Sequence, residues 1–159
     1  MPRPQSEPSA IEGELLEAVR DAQHALLVHL LPCLADRGLS KHLFFPLWYL
    51  SRTRELHPGD LARGIGVSAP ACTQLVDHLV AGGFVARRAS ATDRRHIVLA
   101  VTPKGRRTLE AVWRELNASL VPALRELPAE DVRGTARTLR AFARRLGAEP
   151  PARAPEVPA

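Results

Sequence analysis

Between Pro58 and Gly83 the chain reads as two short helices in close succession, and no other stretch constrains the fold as much. Pro58 suits a first helical turn, where its missing N–H would have had no intrahelical partner. The first helix is read over 58–65 and the second over 68–81. Ser68 is a good N-cap for the second helix, with Pro70 tolerated just inside it. Gly82 and Gly83 stop that helix. The period then changes from helical to alternating. Residues 84–88 read as one strand and 96–101 as another, with Ile97, Leu99 and Val101 expected on one face. The polar link over 89–95 makes a hairpin with a basic tip.

Helices flank this central block. Ile11, Leu15, Val19, Ala22, Leu26, Leu30 and Leu34 recur at helical spacing, and Leu16, Leu27 and Leu31 widen the stripe beyond one neighbour's need. Pro32 is expected to kink or end that helix, and Gly38 closes the segment. Ser40 is placed to cap a second helix carrying Phe44, Leu47, Trp48 and Leu50. Pro46 is awkward within it, because proline deletes a backbone donor and crowds the preceding turn. A kink or a late start is expected there. Thr102-Pro103 is a cap and first turn for a helix with Leu109, Val112, Trp113, Leu116, Leu120, Val121 and Leu124. Pro128 opens a last helix with Val132, Leu139, Phe142, Ala143 and Leu146. Residues 1–9 and 147–159 are proline-bearing, have little to bury and are expected to be disordered. With 159 residues there is room for one domain, or for a folding unit shared with a second copy. The terminal helices have apolar faces too broad for a domain of this size unless a partner copy covers them.

The net charge of +5 points toward a polyanionic partner. Two cysteines, Cys33 and Cys72, do not make a disulfide framework. No apolar run reaches membrane-spanning length, and residues 1–9 lack the apolar core of a signal peptide. A reducing cytoplasm is the expected compartment. Nothing supports catalysis: there is no glycine-rich phosphate loop, no Ser-His-Asp spacing and no carboxylate pair in an apolar setting. Glu12, Glu14 and Glu17 sit in the first turns of a helix, where the dipole favours acids for structural reasons.

Several segments follow one known pattern. Asp60-Leu61-Ala62, Gly66-Val67-Ser68, Thr73-Gln74-Leu75-Val76-Asp77, Leu79 and Gly83-Phe84-Val85 resemble the helix-turn-helix of the MarR family of regulators. Arg87-Arg88, Asp93-Arg94-Arg95, Leu99 and Thr102-Pro103-Lys104-Gly105 resemble its wing and the start of the next helix. The match runs from about Leu39 to Gly105 in motif, and the order of elements extends it over nearly the whole folded chain. Pro46 and Ala69-Pro70-Ala71 depart from the pattern. The resemblance implies a mainly α fold, a winged helix-turn-helix of about six helices and a β-hairpin wing. Residues 39–101 form the DNA-binding region, and 10–38 and 102–146 the helices that pair two copies.

Chemistry independent of the resemblance agrees with a reading helix. A helix in the major groove needs short polar side chains near its N-terminus to reach base edges. Ser68, Thr73 and Gln74 supply them, and His78, one turn beyond Gln74, lies within reach of phosphate. Merely exposed polar residues are the bland alternative. In the wing, Arg87, Arg88, Arg94, Arg95, Lys104, Arg106 and Arg107 face a single acid, Asp93, between Phe84 and Arg107. A solvated face normally mixes signs, and this one does not. A hairpin-tip arginine suits a narrow minor groove, where negative potential concentrates. The resemblance implies that Asp93 holds Arg95 and leaves Arg94 for phosphate, with His96 assisting.

Other constellations carry less. His29 and Cys33 stand four apart on the first helix, with His24 and His42 as neighbours, and that spacing fits two ligands of one metal. Pro32 disturbs that helix and no second pair recurs, so no metal and no cofactor is expected. Of the cysteines, Cys72 on the reading helix is the better candidate for a redox sensor, against packing as a small hydrophobe. Phe44, Phe45, Trp48 and Tyr49 cluster in the second helix, where core packing is the ordinary explanation. The resemblance implies a cleft for a small aromatic or anionic effector, which Phe44 and Trp48 would line with His24 as a polar contact.

The expected function is a cytoplasmic, homodimeric, sequence-specific DNA-binding regulator and not an enzyme. By resemblance its output is repression, relieved when an effector releases a palindromic operator. Its rivals are a redox- or metal-sensing regulator of the same fold, a non-specific architectural DNA-binding protein, and a helical scaffold that binds no nucleic acid.

Overall fold

The computed structural model describes residues 8–53, 55–90 and 96–147. Most of the two ends expected to be disordered, and the hairpin tip with Asp93, Arg94 and Arg95, lie outside the described residues. Among those described, six helices and one antiparallel hairpin follow the expected order: α1 Ala10–Ala35, α2 Lys41–Ser51, α3 Pro58–Ile65, α4 Ala69–Ala81, β1 Val85–Ala89, β2 Ile97–Val101, α5 Pro103–Arg125 and α6 Ala129–Arg145.

At its start α1 is closed by a capping box: the Ser9 N–H donates to Glu12 Oε2 at 2.8 Å, and the Glu12 N–H to Ser9 Oγ at 3.4 Å. These bonds satisfy donors that the first helical turn leaves without partners. They also hold the Glu12 carboxyl below the usual carboxylate range, the bond from the Ser9 backbone first. Of the two outcomes expected of Pro32, an end to the helix is not found: α1 runs to Ala35. Leu30, Cys33 and Leu34 are buried in its last turns and hold that stretch against the body of the fold.

Pro46 likewise sits inside α2, which starts at Lys41 and not late. Its ring is buried, alongside Phe44, Leu47 and Leu50. An interior proline costs about 3 kcal/mol in a helix. Each of those three apolar neighbours contributes roughly 1.5–3 kcal/mol on burial, so packing outweighs the lost bond.

A single core joins α1 to α5. Leu30 and Leu34 of α1 meet Phe44, Leu47 and Leu50 of α2, Leu61 of α3, Val76 and Leu79 of α4, and Leu109, Val112 and Leu116 of α5. The earlier part of α1, before Leu30, and all of α6 contribute no buried residue to it. Ile11, Leu26, Leu139 and Leu146 remain exposed large apolar side chains.

In the hairpin Val85 pairs with Val101 and Ala89 with Ile97. The expected face of Ile97, Leu99 and Val101 is found in part: Leu99 and Val101 are buried, Val98 is buried as well, and Ile97 is exposed. Ile97 sits at the outer end of the strand, opposite Ala89 and beyond the helices that cover Leu99 and Val101. On its other edge β2 bonds to the stretch before α3. Leu56 and Leu99 exchange both backbone hydrogen bonds, at 2.9 and 3.3 Å.

Candidate nucleic-acid interface

Helix α4, the one expected to read DNA, is set against α3 by a tight link. Gly66 closes α3 at φ +71°, a left-handed conformation that glycine adopts without steric cost. The Val67 N–H returns to the Ala62 carbonyl at 3.0 Å, and Ser68 begins the next helix at once. One face of α4 carries the buried Cys72, Val76 and Leu79. Ser68, Thr73, Gln74, Asp77 and His78 lie on the exposed face.

The polar groups on that face are not equivalent. Ser68 Oγ accepts from the Ala71 N–H at 3.4 Å as the N-cap. Thr73 Oγ1 donates back to the Ala69 carbonyl at 3.0 Å. Both hydroxyls are thus partly engaged with the helix backbone. Gln74 and His78 have no side-chain partner among the described residues. Their spacing places them on the same side, one turn apart.

Charge in the wing is organised differently from the sequence run. Arg87 on β1 donates to Asp77 Oδ1 on α4 at 2.6 Å. Sequence reasoning quoted Asp77 only as part of the motif and gave it no role. The signal was available in its spacing, one turn beyond Thr73 on the reading face. Lys104 donates to the Gly82 carbonyl at 2.7 Å, its ammonium 4.8 Å from the Phe84 ring centre. Arg106 donates to the Val101 carbonyl at 2.8 Å. Those two cations therefore fasten the ends of α4 and β2, while Arg88 and Arg107 stay exposed.

His96 stands at the outer end of the hairpin, next to Ile97, its ring edge-on to His57 with centres 5.7 Å apart. His57 precedes α3, with Nδ1 3.2 Å from the Ile97 carbonyl, so that nitrogen is the donor. Asp93, Arg94 and Arg95, the wing-tip residues of the expected interface, lie outside the described residues.

The residues expected at an effector cleft fall in different surroundings. Phe44 is buried and packs on Trp113 of α5, ring centres 5.7 Å apart, and edge-on to Phe45 at 5.4 Å. Trp48 is half-buried beneath the Arg52 guanidinium, 5.2 Å from its ring centre. His24 is exposed, in the stretch of α1 before Leu30 where no residue is buried. Beside Phe44, the indole N–H of Trp113 is buried without a hydrogen-bond partner. Sequence reasoning had counted Trp113 only among the apolar residues of its helix.

Neither thiol is set up to react. Cys72 is buried, its Sγ 3.5 Å from the Pro58 carbonyl, and burial pushes its thiol up from the ordinary range. Burial and, secondarily, Glu115 raise that of Cys33. The Cys33 thiol is turned to the His29 carbonyl at 3.2 Å, while His29 Nδ1 meets Ser119 Oγ of α5 at 2.7 Å. The possible ligand pair of α1 is thereby engaged in packing α1 on α5. Among the described residues no group of three or more His, Cys, Asp or Glu is placed to hold a metal ion. No described helix is long and apolar enough to cross a membrane.

Comparison with known proteins agrees with this geometry. Residues 47–96 match the MarR family. The chain is 37% identical over 78 residues to the HTH-type transcriptional repressor YetL of Bacillus subtilis, covering 48% of this chain and 47% of that one. It spans about half the length of the curated relatives it matches. A MarR family protein from Bacillus stearothermophilus has the same fold, with a TM-score of 0.77 at 21% identity over 89% of this chain and 99% of that one. CouR from Rhodococcus jostii RHA1, solved bound to p-coumaroyl-CoA, superposes with a TM-score of 0.69 at 21% identity over 86% and 96% of the two chains. The family match falls on the stretch from α2 through α4 and β1, the common fold takes in the helices on either side, and the chain carries a MarR-like segment within a winged helix-turn-helix fold.

Proposed function

We propose that this chain is a homodimeric, sequence-specific repressor of transcription that reads a palindromic operator and is released from it by a small effector. The observation that carries the reading is the division of α4 into two faces. One is packed by Cys72, Val76 and Leu79, and the other leaves Gln74 and His78 exposed, with Asp77 between them held by Arg87. A helix so divided, beside a basic hairpin, suits entry into a major groove with the hairpin in the flanking minor groove. Ser68, Thr73, Gln74 and His78 then meet bases and phosphate. Arg88, His96 and the wing tip at Asp93, Arg94 and Arg95 meet the backbone and the narrow groove.

Pairing of two copies is supported by the uncovered apolar faces of α1 and α6. Large apolar side chains left exposed along both helices mark an association surface. A twofold dimer calls for an inverted repeat with half-sites about one helical turn apart.

Release by an effector is supported by the aromatic group of Phe44 and Trp113 and by the unpartnered indole N–H. A buried donor without an acceptor is costly, and a ligand oxygen would satisfy it. Such a ligand shifts the dimer between two states by its differential affinity for them.

Selection of bound duplexes from a random pool tests the reading. The expected result is an enriched inverted repeat with half-sites about ten base pairs apart. Uniform retention of all sequences with a steep salt dependence would replace it with non-specific architectural binding.

A further inference from the structure

We infer that Asp77 is a specificity-determining residue, selecting cytosine at one position of each half-site; the inference rests on the reading of α4 as the DNA-reading helix. A carboxylate in the middle of a surface that must approach phosphates calls for a reason. Asp77 lies on the exposed face of α4, one turn beyond Thr73 and flanked by Gln74 and His78. Its side chain is 56% exposed, so no packing requirement puts an acid there.

The ion pair with Arg87 explains how the acid is tolerated. Arg87 reaches from β1 to Oδ1 at 2.6 Å and cancels the charge that would otherwise repel the DNA backbone. It also fixes the direction of the carboxylate from the wing side. The bond engages Oδ1, and Oδ2 has no hydrogen-bond partner among the described residues. An exposed carboxylate held at Oδ1, with Oδ2 left as an acceptor, is what the Asp77–Arg87 pair presents.

An acceptor of that kind discriminates strongly among base edges. In the major groove cytosine offers only the N4 amino donor, whereas guanine offers the acceptors N7 and O6 and thymine the acceptor O4 with a methyl group. Adenine offers the N6 donor beside the N7 acceptor, so the carboxylate would gain one bond and face one repulsion. Cytosine alone is free of an opposing acceptor. The preference therefore arises as much from rejection of the other bases as from the bond to N4. Arg87 acts here as a positioning residue, through Asp77.

The test compares wild-type protein with Asp77→Ala and Asp77→Asn in selection from a random duplex pool. Each variant is checked by circular dichroism for retention of the fold. Wild type is expected to enrich a C·G pair at one symmetric position in each half-site. Asp77→Ala is expected to lose the base preference there, roughly tenfold per half-site, and to keep every other position. Asp77→Asn is expected to move the preference to adenine, whose N6 and N7 match a side-chain amide. An unchanged base preference in Asp77→Ala, with or without weaker binding, overturns the inference and leaves Asp77 as a strut for Arg87. A wild-type pool without an enriched sequence removes the proposed function itself, and the two failures are therefore distinct.

Discussion

The hydroxyl of Thr102 donates to the Gly83 carbonyl at 2.7 Å while accepting the Gly105 N–H at 3.1 Å. One side chain thus caps α5 and closes the turn that ends α4, across the whole length of the hairpin. Thr102→Val keeps the shape and loses both bonds. It is expected to destabilise the fold by about 1–3 kcal/mol, read from urea or thermal unfolding.

Gly105 marks the same junction from the other side. A Cβ there would press on the Phe84 carbonyl oxygen and meet Val101 Cγ1 at 2.8 Å. The Phe84 carbonyl is backbone and has little freedom to yield. Gly105→Ala is expected to destabilise by about 1–3 kcal/mol through overpacking. Gly59→Ala, with nothing within 4 Å of the added carbon, serves as the control and is expected to unfold close to wild type.

The thiols of Cys33 and Cys72 are raised chiefly by burial, so the folded chain favours the protonated form of each. Their contribution to stability is complete below the usual thiol range and is lost as pH rises through the raised values. Iodoacetamide at pH 8 is expected to spare both in native protein and label both in denaturant. Mild peroxide is expected to leave operator affinity unchanged, and a peroxide-sensitive wild type with an insensitive Cys72→Ser would return the redox-sensing alternative.

Leu139 lies on α6, where nothing from its own protomer buries a residue. Leu139→Arg is expected to shift the chain from dimer to monomer in sedimentation velocity. Operator affinity should fall by about a hundredfold as two linked contacts become one. The added positive charge would by itself strengthen attraction to DNA, so a loss cannot be ascribed to charge.

The order of elements was legible because caps and periodicity act locally. Ser68 and Thr102 cap the helices they were expected to open, through the Ala71 and Gly105 N–H groups. Neither an end at Pro32 nor a late start before Pro46 is found, because a proline's penalty is local, whereas the burial of Cys33, Leu34, Phe44 and Leu47 that outweighs it is tertiary. Ile97 shows the same limit, since the covering of one strand end is decided by the helices laid over it.

Less of the interface could be read in advance. A run of cations in sequence does not disclose that Lys104 and Arg106 are spent on backbone carbonyls. Nor does it disclose that Arg87 turns to an acid ten residues earlier. Those pairings exist only once the turn at Gly83 has brought α4, β1 and α5 together. Phe44 was legible as apolar, but its contact with Trp113 is set by the approach of α2 to α5.

The paired hydrogen bonds between Leu56 and Leu99 bear on how the hairpin resists pairing edge to edge with another molecule. A two-stranded ribbon has two open flanks, each able to recruit a strand from another molecule and begin a stack. Here the inner flank is already occupied at its root by the chain's own backbone, so only the outer one is left open there, where Arg87 and Arg88 discourage a second ribbon from settling against it.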